Sequence, residues 1–178
     1  MRCSFIIFSL MILAACKPKA PERVPVPLTE DTTFLTGTIY LVRHAEQHPG
    51  EDSDLTKEGH ARAGALYHML KDSGLNKIYI TRFKRSLQTA DSLRLYKHID
   101  TCYYMADTTG ESLIYEISRH QDWGKRLLVV GHSNTLIPIM RSLRARPPVD
   151  SIGATEYDRL FIIRKYRDSV SLRQLRIL

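Results

Sequence analysis

Three short apolar runs, TIYLVR (38–43), KIYI (77–80) and RLLVV (126–130), recur along the chain with segments of helical length between them. Runs of four to six residues rich in Ile, Val and Leu, without polar alternation, are what a strand buried on both faces requires. Long connections between them leave room for crossover helices. The pattern predicts an α/β domain with a mostly parallel sheet.

The intervening segments read as helices. LTKEGHARAGALYHMLKDSG (55–74) places Leu55, Leu66 and Leu70 at helical spacing, with Thr56 as an N-cap and Gly74 as a stop. RSLQTADSLRLY (85–96), GESLIYEISRHQ (110–121) and SNTLIPIMRSL (133–143) supply three more. In the last, Ser133 or Asn134 is placed to cap, and Pro138 must sit in the first turns. The tail, 157–178, reads as a closing hairpin turning at Asp168-Ser169. A sheet of this kind puts its ligand site beyond the carboxyl ends of its strands. Arg43-His44 and Gly131-His132 both fall there.

The N-terminus has a different character. MRCSFIIFSLMILAAC carries one positive charge, Arg2, then an apolar stretch too short to span a bilayer comfortably, then small residues before Cys16. Leu13-Ala14-Ala15-Cys16 resembles a bacterial lipobox, which implies cleavage before Cys16 and lipidation of that cysteine. The expected organisation is a signal peptide over 1–15, a Pro-rich tether over 16–35, and one folded domain over 36–178. Cys102 then has no partner for a disulfide and reads as a small buried hydrophobe.

Loss of the signal removes only Arg2 among charged groups, taking the formal net charge from +7 to +6. The basic residues are dispersed rather than gathered in a tract, which argues against nucleic acid as partner. Anionic small molecules or a membrane surface suit such a charge better. The expected location is the cell envelope, on the periplasmic or outer-surface side.

The histidines admit three chemistries. His44 and His48, four apart with Glu46 between them, superficially suggest a zinc-protease helix. That motif needs glutamate directly after the first histidine, where Ala45 stands, and Pro49-Gly50 break any helix. VVGHSNT begins like a hydrolase nucleophile elbow, but no histidine follows Ser133 to complete a triad in the required order. Phosphoryl transfer fits better. Charge spread over three equatorial oxygens calls for fixed cations and an in-line nucleophile, and two arginines with two histidines supply both without metal.

Four segments in register, LVRHAE (41–46), LTKEGHARAGAL (55–66), TRFKRSLQTA (81–90) and VVGHSNT (129–135), resemble the motifs of the histidine phosphatase superfamily, the phosphoglycerate mutase-like clan, over roughly residues 38–165. The resemblance implies a three-layer α/β/α sandwich with a mostly parallel central sheet. It implies hydrolysis of phosphomonoesters with no cofactor and no metal. His44 becomes the nucleophile, Arg43 and Arg85 grip the phosphoryl oxygens, and His132 donates a further hydrogen bond. Family members carry an acidic proton donor between the second arginine and second histidine or directly after that histidine. Ser133 occupies the latter place, leaving Asp107 and Glu111 as candidates, with Glu116 behind them. Thr81-Arg82-Phe83 departs from the usual serine-led, proline-containing opening and adds a charge expected near the pocket mouth. The short span between Arg85 and His132 resembles the compact phosphatase branch, so the implied substrate is a phosphorylated small molecule or phosphoprotein in an open pocket. The competing reading is a phosphate-binding module of low turnover on the same fold.

Overall fold

The computed structural model describes residues 36–178; the expected signal peptide, the expected lipidation site at Cys16 and the expected tether lie outside the described residues. Ten elements follow one another: β1 (Gly37–Arg43), α1 (Lys57–Leu70), β2 (Lys77–Ile80), α2 (Lys84–Tyr96), β3 (Thr101–Tyr103), α3 (Glu111–Arg119), β4 (Arg126–Gly131), α4 (Leu136–Ser142), β5 (Arg159–Tyr166) and β6 (Ser169–Arg176). One six-stranded sheet runs in the order β3-β2-β4-β1-β5-β6. The first four of these strands in space are parallel, and β5 and β6 add an antiparallel edge. The sheet is therefore mixed, flanked by helices on both faces, as an α/β/α sandwich requires.

Side-chain alternation assigns the faces. Ile39, Leu41, Tyr79, Leu127, Val129, Phe161 and Ile163 pack with residues of α3 and α4. Val42, Ile78, Ile80, Leu128, Val130 and Leu160 pack with Leu66 and Leu70 of α1 and Leu93 of α2. Both faces of β1, β2 and β4 are thus covered, which is why these strands read as unbroken apolar runs. Each such side chain taken fully from water contributes about 1.5–3 kcal/mol.

The same assignment places the site. Leaving β1, the chain turns to the α1/α2 face; leaving β4, the strand beside it, the chain turns to the α3/α4 face. Adjacent parallel strands whose continuations part to opposite faces open a crevice at their carboxyl ends. The last β1–β4 pair is Arg43 opposite Gly131, and the His44 N–H donates to the Gly131 carbonyl at 2.9 Å. His44 and His132 are the first residues past that point.

Helix starts follow local chemistry. The Thr56 hydroxyl accepts from the Gly59 N–H at 3.1 Å, capping α1. Gly59 is required for another reason: a Cβ there would stand 2.1 Å from the Glu46 carbonyl oxygen. α2 has no cap from its own N-cap residue; Asp52, from the loop after β1, accepts the Lys84 N–H at 2.7 Å. Three expectations are corrected. The N-cap position of α4 is Thr135, not Ser133 or Asn134; Pro138 falls in the first turn, as expected, where a missing N–H costs nothing. The closing hairpin turns at Arg167-Asp168, one residue earlier than expected, with Arg167 in the left-handed region at φ 50°. Cys102, expected to be buried, is half-buried on the short edge strand β3.

Candidate active site

His44 is 5% exposed and His132 7%, and their rings lie side by side past the ends of β1 and β4. The His44 Nδ1 is 2.8 Å from the Ala45 carbonyl oxygen. A carbonyl only accepts, so Nδ1 carries the ring proton and Nε2 keeps its lone pair. Ala45 is itself held: its N–H donates to the Thr89 hydroxyl at 2.9 Å, and that hydroxyl donates to the Arg85 carbonyl at 2.6 Å. The strand end is thereby tied to α2.

His132 is fixed from two sides. Its N–H donates to the Thr135 hydroxyl at 2.9 Å, and its Nε2 shares a hydrogen bond with the buried Thr81 hydroxyl at 2.9 Å. Thr81 in turn pairs with Ser86 at 2.7 Å. The edge of the Phe83 ring meets His132 at 5.3 Å between centroids.

The two arginines are held by main chain and aromatic rings. Arg43 Nη1 donates to the carbonyls of Gly153 and Ala154, each at 2.9 Å, and of Glu156 at 3.3 Å; its guanidinium lies 3.9 Å over the Tyr157 ring. Arg85 Nη1 donates to the Glu51 carbonyl at 2.7 Å, and its guanidinium lies 4.0 Å over Phe83. In both, Nε is buried with no hydrogen-bond partner. A buried guanidinium N–H without an acceptor is costly, and an oxyanion bound between the two arginines would relieve both.

The charge balance is one-sided. Burial pushes the His44 imidazole down to about 3, opposed by the hydrogen bond to Ala45 and reinforced by His132, Arg43 and Arg85. Burial, with Arg85 and Arg43, takes His132 to about 4. Arg43 and Arg85 are also shifted down by burial, and both remain charged at any working pH. Two fixed cations beside two neutral imidazoles make a pocket for an anion with an unprotonated nucleophile.

His44, Phe83, Arg85, Ala106, His132, Ser133 and Asn134 line a cleft of about 390 Å³. The structure brings together Arg43, His44, Arg85 and His132. Neither Asp107 nor Glu111 is among the residues that line the cleft, although Ala106, beside Asp107, is. Both carboxylate oxygens of Asp107 accept backbone N–H groups at the start of α3, from Gly110 at 2.6 Å and Ser112 at 2.7 Å. Glu111 is exposed, and Glu116 pairs with Arg119 and His120 within α3 and its C-terminus. Arg82 is not at the cleft: its guanidinium lies 5.2 Å over Tyr103. His48 is exposed, and among the described residues no three His, Cys, Asp or Glu side chains converge as metal ligands.

Two further residues complete the site. Thr81, read in the sequence only as a departure from the motif, holds His132 through its hydroxyl. Tyr157, with its ring over Arg43 and 5.8 Å from His44, sits in a loop with no motif.

The fold is the one seen in solved phosphoglycerate mutase-like histidine phosphatase structures. Residues 39–103, which include Arg43, His44 and Arg85, match the model of the Histidine phosphatase superfamily (branch 1). No curated protein matches the chain significantly. Solved structures do. A chain of Agrobacterium tumefaciens named as a phosphohistidine phosphatase, SixA, is 21% identical with a TM-score of 0.60, covering 82% of this chain and 99% of that one. The α-ribazole phosphatase of Shigella flexneri is 15% identical with a TM-score of 0.61, covering 78% and 96%. A mycobacterial glucosyl-3-phosphoglycerate phosphatase is 12% identical with a TM-score of 0.60, covering 78% and 97%. At these identities the likeness establishes the fold alone, and it is the family match over residues 39–103 that supports a phosphatase.

Proposed function

We propose that the chain is a metal-independent phosphomonoester hydrolase of the cell envelope, tethered by lipid on Cys16, that works through a phosphohistidine on His44. The observation that carries the chemistry is the carbonyl-locked Nδ1 of His44, which leaves an unprotonated Nε2 with its lone pair free beside two arginines with spare N–H groups. In the first step the Nε2 lone pair forms a bond to phosphorus as the bond to the leaving oxygen breaks. With no free carboxylate at the cleft among the described residues, that oxygen takes its proton from solvent. In the second step water attacks phosphorus and the N–P bond breaks. Inorganic phosphate leaves, Nε2 regains its lone pair, and the surplus proton goes to solution.

Arg43, Arg85 and His132 stabilise the charge on the equatorial oxygens in both steps. Substrates are phosphorylated small molecules or phosphoproteins presented to an open cleft. The lipoprotein reading rests on the LAAC sequence and the Pro-rich stretch after it. The engaged carboxylate of Asp107 favours one second reading, a phosphate-binding module of low turnover.

Hydrolysis of an aryl phosphate in chelator by residues 20–178, wild type beside His44→Ala, tests the proposal. Turnover in the wild type alone supports it. Turnover by the mutant contradicts it, and absent turnover in a folded wild type that phosphate stabilises favours the binding module.

A further inference from the structure

The loop between α4 and β5 grips Arg43 as no other segment does. Glu156 closes the loop on itself: its carboxylate accepts the Gly153 N–H at 2.6 Å and pairs with Arg159 on β5. In that turn the carbonyls of Gly153, Ala154 and Glu156 converge on one atom, Nη1 of Arg43. The next residue, Tyr157, lays its ring against the guanidinium face at 3.9 Å and turns its edge to His44 at 5.8 Å. Asp158, the last residue before β5, pairs with Arg176 on β6. Nothing on β1 itself fixes the rotation of this long side chain.

We propose that the 153–157 loop is the positioning element of the phosphoryl site, with Tyr157 its central residue. The carbonyls consume Nη1 and the ring holds the guanidinium plane, which leaves Nε, together with Nη2, as the fork offered to phosphoryl oxygens. This rests on Arg43 and His44 forming that site. Tyr157 acts through Arg43 rather than on substrate, so its ring matters and its hydroxyl does not.

The test compares Tyr157→Phe, Tyr157→Ala, Arg43→Ala and the Tyr157→Ala/Arg43→Ala double variant of the full-length chain, reading aryl phosphate hydrolysis and inorganic phosphate binding by calorimetry. Tyr157→Phe should stay within about threefold of wild type, and Tyr157→Ala should lose about tenfold to a hundredfold in kcat/KM. In the Arg43→Ala background, Tyr157→Ala should cost nothing more, because its partner is gone. Three results overturn the proposal: Tyr157→Phe as impaired as Tyr157→Ala, Tyr157→Ala equal to wild type, or independent losses in the double variant. If the wild type proves to lack turnover, the function reading fails, and phosphate affinity in the same variants still decides the role of Tyr157. Should Tyr157→Ala lower the melting temperature into the assay range, Tyr157→Leu, which fills the space without a ring face, takes its place with the same expected outcomes.

Discussion

The rings of His44 and His132 lie 5.2 Å apart between centroids and are tilted 55° to one another. Two imidazoles this close, flanked by Arg43 and Arg85, cannot both be protonated without strong repulsion, and burial already disfavours the charged forms. Each is held in one orientation by a different partner, a carbonyl for His44 and a hydroxyl for His132. The consequences are open to measurement.

The first concerns pH. With His44 near 3 and His132 near 4 when folded, against 6.5 for a free imidazole, the unfolded chain binds more protons between those values. Stability therefore falls as pH drops from about 6.5 toward 4, and these two groups contribute no pH dependence above that window. Nuclear magnetic resonance should show both rings neutral at pH 5.5. A ring titrating near 6.5 would mean that the pocket is wetter than its burial indicates.

Thr81 should govern the tautomer of His132. A hydrogen bond donated by its hydroxyl to Nε2 leaves the ring proton on Nδ1, so His132 can donate to a phosphoryl oxygen while neutral. Thr81→Val should cost about tenfold in kcat and, by stranding buried Ser86, about 1–3 kcal/mol of stability, with Thr81→Ser restoring activity. Unchanged kcat in Thr81→Val would remove Thr81 from the catalytic account.

Asp107 should behave as a helix cap. Its two oxygens hold the first turn of α3, so Asp107→Ala should lower stability by about 0.5–2 kcal/mol, read by thermal melting. Hydrolysis of aryl phosphates, whose leaving groups depart without a proton, should stay within about threefold. For the wild type, rates should fall steeply as the leaving group becomes more basic, because no carboxylate at the cleft shields the reaction from that dependence. An Asp107→Ala loss confined to alkyl phosphates would make Asp107 the proton donor after all.

Gly59 should tolerate no side chain. A Cβ placed 2.1 Å from the Glu46 carbonyl oxygen must push α1 away from the loop that follows His44. Gly59→Ala should destabilise by at least about 1–3 kcal/mol, measured by denaturant unfolding. A wild-type melting curve would show that the loop yields freely.

Much of this architecture was legible in the sequence because the relevant signals are local. TIYLVR, KIYI and RLLVV announced their burial by composition, and each became a strand over nearly the residues expected. Arg43-His44 and Gly131-His132 stood out because each breaks an apolar run at a strand end, where an α/β sheet opens its crevice. β3 went unread, since three residues hold too little pattern to separate strand from loop. The 153–157 loop was illegible for another reason: its grip on Arg43 uses main-chain carbonyls, which every residue possesses. Asp107 shows the converse ambiguity. An acid just before a helix looks the same in sequence whether it serves a substrate or caps the helix, and only the paired N–H groups of Gly110 and Ser112 tell the two apart.

The most direct measurement is rapid quenching of the wild-type protein and His44→Ala with a labelled aryl phosphate, followed by assay of label on the protein. Acid-labile, base-stable phosphoryl label on the wild type, formed and discharged at rates that account for turnover and absent from His44→Ala, is the expected result. Turnover without label on the wild type, or label persisting in His44→Ala, would contradict covalent transfer through the His44 Nε2.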